Sequence, residues 1–137
     1  MKVLVDTNIL LDVALERTEF FADSDSVVGW RQENPGSCLI AWHTVSNVYY
    51  VLKRAQDDNA ARGFVETALE IFEVSQTGTA AAKQALLLDV NDFEDALQIA
   101  AALAGGADVI VTRDEPDYTA SPLPVRSPGR FLASVMP

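Results

Sequence analysis

With 137 residues, 49% of them apolar and 22% charged, the chain has the length of one domain and can bury about two-thirds of the surface its unfolded form exposes, so it needs no disulfide or structural metal to build a core. The single cysteine, Cys38, excludes an intrachain disulfide and a multi-cysteine zinc site, and no uncharged stretch approaches the roughly 20 residues of a membrane span. A net charge of −10 and a pI of about 4.3 lie far from the values above about 9 typical of nucleic-acid-binding domains, so chemistry on nucleic acid would have to come from a local site.

The first segment, Lys2 to Val5, is a β-branched run too short for a helix and reads as a buried strand. Asp6 cuts it far short of a signal-peptide core. The expectation is a cytoplasmic protein with no membrane part and a single domain over residues 1–137. Ile9, Leu10, Val13 and Ala14 recur at helical spacing, with Thr7 or Asn8 as the N-cap. A second helix over about Phe20 to Glu33 stops at the turn signal Asn34-Pro35-Gly36, and Cys38 to Ala41 is the next buried strand. From His43 the pattern is helical again. Val45, Val48, Tyr49 and Leu52 form an apolar stripe, with His43, Asn47, Tyr50 and Arg54 on the opposite face.

Asp57-Asp58-Asn59 opens another helix, a short extended piece follows near Phe72 to Ser75, and an alanine-rich helix spans about Gly78 to Leu88. Asp92-Phe93-Glu94-Asp95 starts a helix dense in alanine up to Gly105-Gly106, whose small residues suit close packing against a sheet. Asp108 to Thr112 is the clearest buried strand, broken by Arg113-Asp114-Glu115-Pro116. A final short strand lies around Val125, and Pro128 begins a last helix. Strands alternating with helices predict an α/β fold, a parallel sheet covered on both faces. In such sheets the binding crevice lies beyond the carboxyl ends of the strands.

Acidic residues collect at that end: Asp6 after the first strand, Asp92, Glu94 and Asp95 at a helix start, and Asp114 after the late strand. Like charges about 4 Å apart repel by about 4 kcal/mol at an effective dielectric near 20, so gathering them calls for a cation, a proton or solvent. Hard carboxylate oxygens suit Mg²⁺ or Mn²⁺, and the chain lacks the His and Cys set of a catalytic zinc site. Each block also has a purely structural role open to it. Asp6-Thr7-Asn8 serves equally as a helix cap, Asp92 with Asp95 resembles a capping box, and Arg113 to Pro116 makes a polar turn. The placement of all three at one end of the sheet is what singles them out.

Taken together, Val3-Leu4-Val5-Asp6-Thr7-Asn8-Ile9-Leu10, Asp92-Phe93-Glu94-Asp95-Ala96-Leu97-Gln98 and Ile110-Val111-Thr112-Arg113-Asp114 resemble, in order and separation, the PIN-domain family, particularly the small bacterial VapC-type toxins. The resemblance implies a three-layer α/β/α sandwich with a central parallel sheet and a metal-dependent endoribonuclease. It implies catalytic acids at Asp6, Asp95 and Asp114, Thr112 orienting the last of these, Mg²⁺ or Mn²⁺ as cofactor, RNA as substrate, an antitoxin partner and a homodimer. One position departs: where the family commonly carries a glutamate on the helix after the second strand, this chain has Asn47. Asparagine offers a carbonyl oxygen but no charge. Glu94 is the candidate for the missing carboxylate and a further metal ligand, although neighbours on an ideal helix diverge by about 100° from Asp95.

Two other readings compete. A catalytically weakened PIN domain would serve as an RNA- or protein-binding module: a gain in cleavage with Asn47→Glu would mark a competent scaffold short of one carboxylate, and no gain with tight RNA binding would favour the binding role. A phosphoryl-signalling receiver also places acids at strand ends, but it needs a lysine after a late strand, and no lysine follows Lys83. The lone His43 is read as structural or exposed, Cys38 as a buried hydrophobe, and Trp42, Tyr49 and Tyr50 as core or interface packing ahead of base-stacking platforms, with the groove as an alternative place for Tyr50. Arg54 and Arg113 are the best placed for phosphate contact, with surface solubility as their ordinary role.

Overall fold

A computed structural model describes residues 1–135; residues 136 and 137, the end of the expected domain, lie outside the described residues. In chain order it contains β1 (Val3–Val5), α1 (Thr7–Ala14), α2 (Phe21–Glu33), β2 (Cys38–Ile40), α3 (Trp42–Ala55), α4 (Asp58–Ile71) and β3 (Glu73–Val74). Then come α5 (Thr79–Leu86), α6 (Phe93–Ala104), β4 (Val109–Val111), a 3₁₀ turn (Glu115–Tyr118), β5 (Val125–Arg126) and α7 (Pro128–Val135). The expected strands and helices all form, most of the strands a residue or two shorter. The 3₁₀ turn after β4 was not expected, because Pro116 read only as a breaker.

The five strands pair in the order β3-β2-β1-β4-β5, all parallel. β1 is central, with Val3 in register with Cys38 on one side and Val109 on the other. Parallel strands covered on both faces must be apolar throughout, and β1, β2 and β4 are buried at every residue. Alternation along them divides the core in two. Val3, Val5, Cys38, Ile40, Val109 and Val111 face α1, α2, α3, α4 and α7 through Leu10, Val27, Val48, Ala68 and Phe131. Leu4, Leu39 and Ile110 face α6 through Ile99, Ala101 and Ala102. Helix α5 completes that layer through Ala85 against Ala96 and Ala100. The result is the expected α/β/α sandwich.

The alanine run of α6 allows its close approach, and Gly105 extends it: a Cβ there would sit 2.7 Å from Leu39 Cδ1 and 2.8 Å from Ser75 Oγ. Gly106, at φ +72, then turns the chain toward β4. That crossing carries the chain from β3 over β2 and β1 to the far side of β1, so the strand order reverses between β1 and β4. A crevice opens at such a switch point, beyond the strand ends. Asp6 follows β1 there, and Thr112 to Asp114 follow β4. Of the side chains read as core or interface packing, Trp42 and Tyr50 are not core: they are 70% and 62% exposed, because α3 buries only the stripe through Thr44, Val48 and Leu52.

Candidate active site

Asp6, rather than Thr7 or Asn8, is the N-cap of α1. An abrupt step from strand to helix leaves the first helical N–H groups without carbonyl partners, and a carboxylate satisfies one of them. Its Oδ1 accepts from the Thr7 backbone N at 2.7 Å, while Oδ2 accepts from Thr112 Oγ1 at 2.7 Å and Tyr118 Oη at 2.8 Å. Burial pushes the Asp6 carboxyl above its ordinary range, and the Thr112 and Tyr118 bonds oppose that push. Two carboxylate oxygens offer about four lone-pair positions. Three short bonds leave one free, on Oδ1.

The corner after β4 is built around Thr112. Its fully buried hydroxyl donates to Asp6 and accepts from the Asp114 backbone N at 3.1 Å. Asn8 Nδ2 donates to Asp114 Oδ2 at 2.9 Å and lies 3.5 Å from Asp6 Oδ2, bridging the two acids. Arg113 turns away from the site. Its Nε donates to Asp12 Oδ2 at 2.7 Å, and its guanidinium lies 3.9 Å from the Phe20 ring centroid. Arg113 is therefore a structural anchor, not a phosphate ligand, and the fully buried Asp12 that holds it went unread in the sequence.

At the start of α6 the three acids separate by role. Asp92 caps the helix, accepting from the Glu94 backbone N at 2.9 Å. Glu94 Oε1 meets His43 Nε2 at 3.1 Å, Gln98 Nε2 at 3.3 Å and Asn47 Nδ2 at 3.4 Å. His43 thus pairs with Glu94 between α3 and α6 instead of standing as an isolated surface group, and the Asn47 amide donates to the same acid. The His43 bond foremost, and the Gln98 bond with it, hold Glu94 below its ordinary range. Asp95 moves the opposite way, from 3.8 to about 7, through burial first and then the charges of Glu94, Asp6 and Asp92, with the nearby Tyr118 hydroxyl opposing the rise. Adjacent carboxyls are thereby pushed apart in acidity.

That tension has a measurable consequence for the metal-free protein. Between about pH 4 and about pH 7 the folded state holds a proton on Asp95 that the unfolded chain has released, so this group lowers stability as pH rises through the window. Asp95→Asn should remove that part of the slope. Denaturant unfolding in EDTA is expected to show the variant gaining on wild type from pH 4 toward pH 7. An unchanged difference across the window would refute the strain.

Asp6, Asp95, Asp114, Glu94 and Asn47 all line one cleft of about 430 Å³, with Asp92, Asp117 and Tyr50 at its border. Thr112 lies beneath it. Among the described residues no three His, Cys, Asp or Glu side chains stand close enough to form a ready-made metal cage. The donors are hard oxygens, Asp6 keeps a free lone pair, and Asp95 carries uncompensated negative potential. Such a set fits an ion like Mg²⁺, which keeps several waters and takes only one or two carboxylates.

Sequence reasoning missed three supporting residues. Tyr118, 2% exposed on the 3₁₀ turn, donates its one hydroxyl proton to Asp6 and lies near enough to Asp95 to moderate the rise in its pKa. Gln98, fully buried, joins α6 to Thr7 and Thr44, each at 3.0 Å. Only Gln98 left a trace, as a lone polar residue between Leu97 and the apolar run from Ile99. Asn8 read as a cap, and its bridge to Asp114 has no local signature.

A family model described as a PIN domain matches residues 2–115. A protein named Ribonuclease VapC1 from Aquifex aeolicus (strain VF5) is 28% identical over 123 residues, covering 86% of this chain and 85% of its own. The fold is shared with a toxin–antitoxin complex from Klebsiella pneumoniae (TM-score 0.70, 21% identity, 93% of this chain and 98% of that one). It is shared too with the Mycobacterium tuberculosis toxin VapC20, described as cleaving the sarcin-ricin loop (TM-score 0.65, 17% identity, 80% and 87%). The strand-end acids, the sheet order and a family match over most of the chain agree, and the chain belongs to the PIN-domain family.

Proposed function

We propose that this chain is a metal-dependent endoribonuclease that hydrolyses RNA phosphodiester bonds, acting in the cytoplasm as the toxin of a toxin–antitoxin pair and as a homodimer. The observation that carries this reading is the convergence of Asp6, Glu94, Asp95 and Asp114 on one cleft at the switch point between β1 and β4. The similar ribonuclease, the VapC20 toxin and the toxin–antitoxin complex support the RNA substrate and the antitoxin partner.

Asp6, Asp95 and Asp114 would hold Mg²⁺ or Mn²⁺, with Glu94 at its edge. A bound ion of this kind supplies positive charge to developing phosphoryl oxyanions and acidifies water. The chain's own residues provide the frame. Thr112, Tyr118 and the Thr7 N–H fix the Asp6 carboxylate, so it needs no reorganisation. Asn8 fixes Asp114. His43 and Gln98 keep Glu94 anionic, and a bound cation would offset the negative potential that raises Asp95 in the metal-free protein.

Purified protein is expected to cut single-stranded RNA with Mg²⁺ or Mn²⁺, to stop in EDTA and to resume when metal is restored. Failure on several RNAs with both metals would overturn the enzyme reading. Asn47→Glu separates it from the weakened binding module. Glu94 already stands 3.4 Å from the Asn47 amide, so a second carboxylate there adds repulsion, and no gain in cleavage is expected. A gain would favour a scaffold short of one acid.

A further inference from the structure

The cleft that would cut RNA is lined by acids, which repel the phosphates on either side of the scissile bond. Something beside it has to hold the strand. Arg113 is committed to Asp12, which leaves the outward face of α3. Asn47, Tyr50, Val51 and Arg54 follow one another there at i, i+3, i+4 and i+7, a single helical stripe. The first three line the carboxylate cleft. Tyr50 also lines the apolar groove between α3 and α4, so its ring stands on the ridge where the cleft opens outward.

A lone exposed tyrosine is ordinary, but this one is held. Tyr49 packs edge-on against it at 5.2 Å and 71°. Arg54, one turn further along the same face, is exposed and enters no ion pair among the described residues. An aromatic platform followed by a free cation is the pairing by which proteins grip single-stranded nucleic acid without reading sequence. Stacking also works where net charge is unfavourable, since it draws on the π-face of the base.

We propose that Tyr50 and Arg54 form a single-stranded RNA subsite at the mouth of the carboxylate cleft, the Tyr50 ring stacking on a base that flanks the scissile phosphate and Arg54 meeting the adjoining phosphate. This rests on the nuclease reading above. It also makes Tyr50, which the sequence read as packing or as facing the groove, a substrate-binding residue.

The test is fluorescence anisotropy with a phosphorothioate-protected, labelled RNA of about 12 nucleotides in Mg²⁺, recovered intact afterwards. Tyr50→Ala should weaken binding between about 5-fold and 150-fold. Tyr50→Phe should restore it to within about twofold, since the ring does the stacking. Tyr50→Trp should bind and lose indole fluorescence on adding RNA beyond any change that Trp30 and Trp42 give in wild type. Arg54→Ala should reduce the salt slope by about 0.7. If wild type binds and cleaves RNA but Tyr50→Ala binds equally well, the subsite is refuted, the nuclease stands, and the exposed ring belongs to a protein contact. If wild type neither binds nor cleaves RNA, the nuclease reading fails and the subsite falls with it.

Discussion

Asp6→Asn should lower RNA cleavage by about 10³-fold or more, because losing a metal-facing charge removes several kcal/mol of transition-state stabilisation. The substitution should change stability little: with the amide oxygen toward the Thr7 N–H, its NH₂ meets the Thr112 and Tyr118 hydroxyls, which accept as well as donate, and the change removes a buried charge. Asp95→Asn should lose cleavage as well while gaining stability near neutral pH, since it relieves repulsion. Cleavage rates and thermal unfolding of the two variants together check this: both inactive, with Asp6→Asn near wild-type stability and Asp95→Asn above it near neutral pH. An Asp6→Asn protein that cleaves at the wild-type rate would place the chemistry elsewhere.

Asp12→Ala should be the most destabilising single change outside the apolar core, by about 3 kcal/mol, or roughly 10 °C in Tm for a chain of this size. Asp12 is fully buried. It binds Arg113 at 2.7 Å, Ser24 Oγ at 3.1 Å and Arg17 at 3.4 Å. Removing the carboxylate strands the Arg113 guanidinium, only 22% exposed, among apolar neighbours. Arg113 also tethers the corner that carries Asp114, and the next residue, Glu115, accepts from the Ser127 backbone N at 2.8 Å. Asp114 therefore sits between two anchored neighbours, and freeing one of them should reduce cleavage even at temperatures where the variant is folded. Chemical denaturation measures the stability loss; a shift below about 1 kcal/mol would show that solvent already satisfies the guanidinium.

The layered sheet was legible because its determinants are local. Three-residue apolar runs such as Val3–Val5 and Val109–Val111, each ended by a polar residue, admit little except buried strands, and the alanines of α6 announced a close neighbour. Asp6, Asp95 and Asp114 were legible for the same reason, since each marks the end or start of an element. What the sequence concealed is long-range. Tyr118 meets Asp6 across 112 positions and Arg113 meets Asp12 across 101, and no spacing rule reaches that far. Arg113 misled because a cation beside a candidate catalytic acid suggests phosphate, whereas a buried acid elsewhere claimed it. Asn47 carries no charge where the family commonly has one, and the sequence concealed that its amide donates to Glu94, an acid supplied from another helix.

The most direct test of the central claim is a crystal of this protein soaked in Mn²⁺. Expected is an anomalous peak in the cleft within roughly 2.0–2.3 Å of a carboxylate oxygen of Asp6, Asp95 or Asp114, lost in Asp6→Asn crystals soaked alike. A cleft with no peak at saturating Mn²⁺, together with RNA cleavage that persists in EDTA, would contradict it.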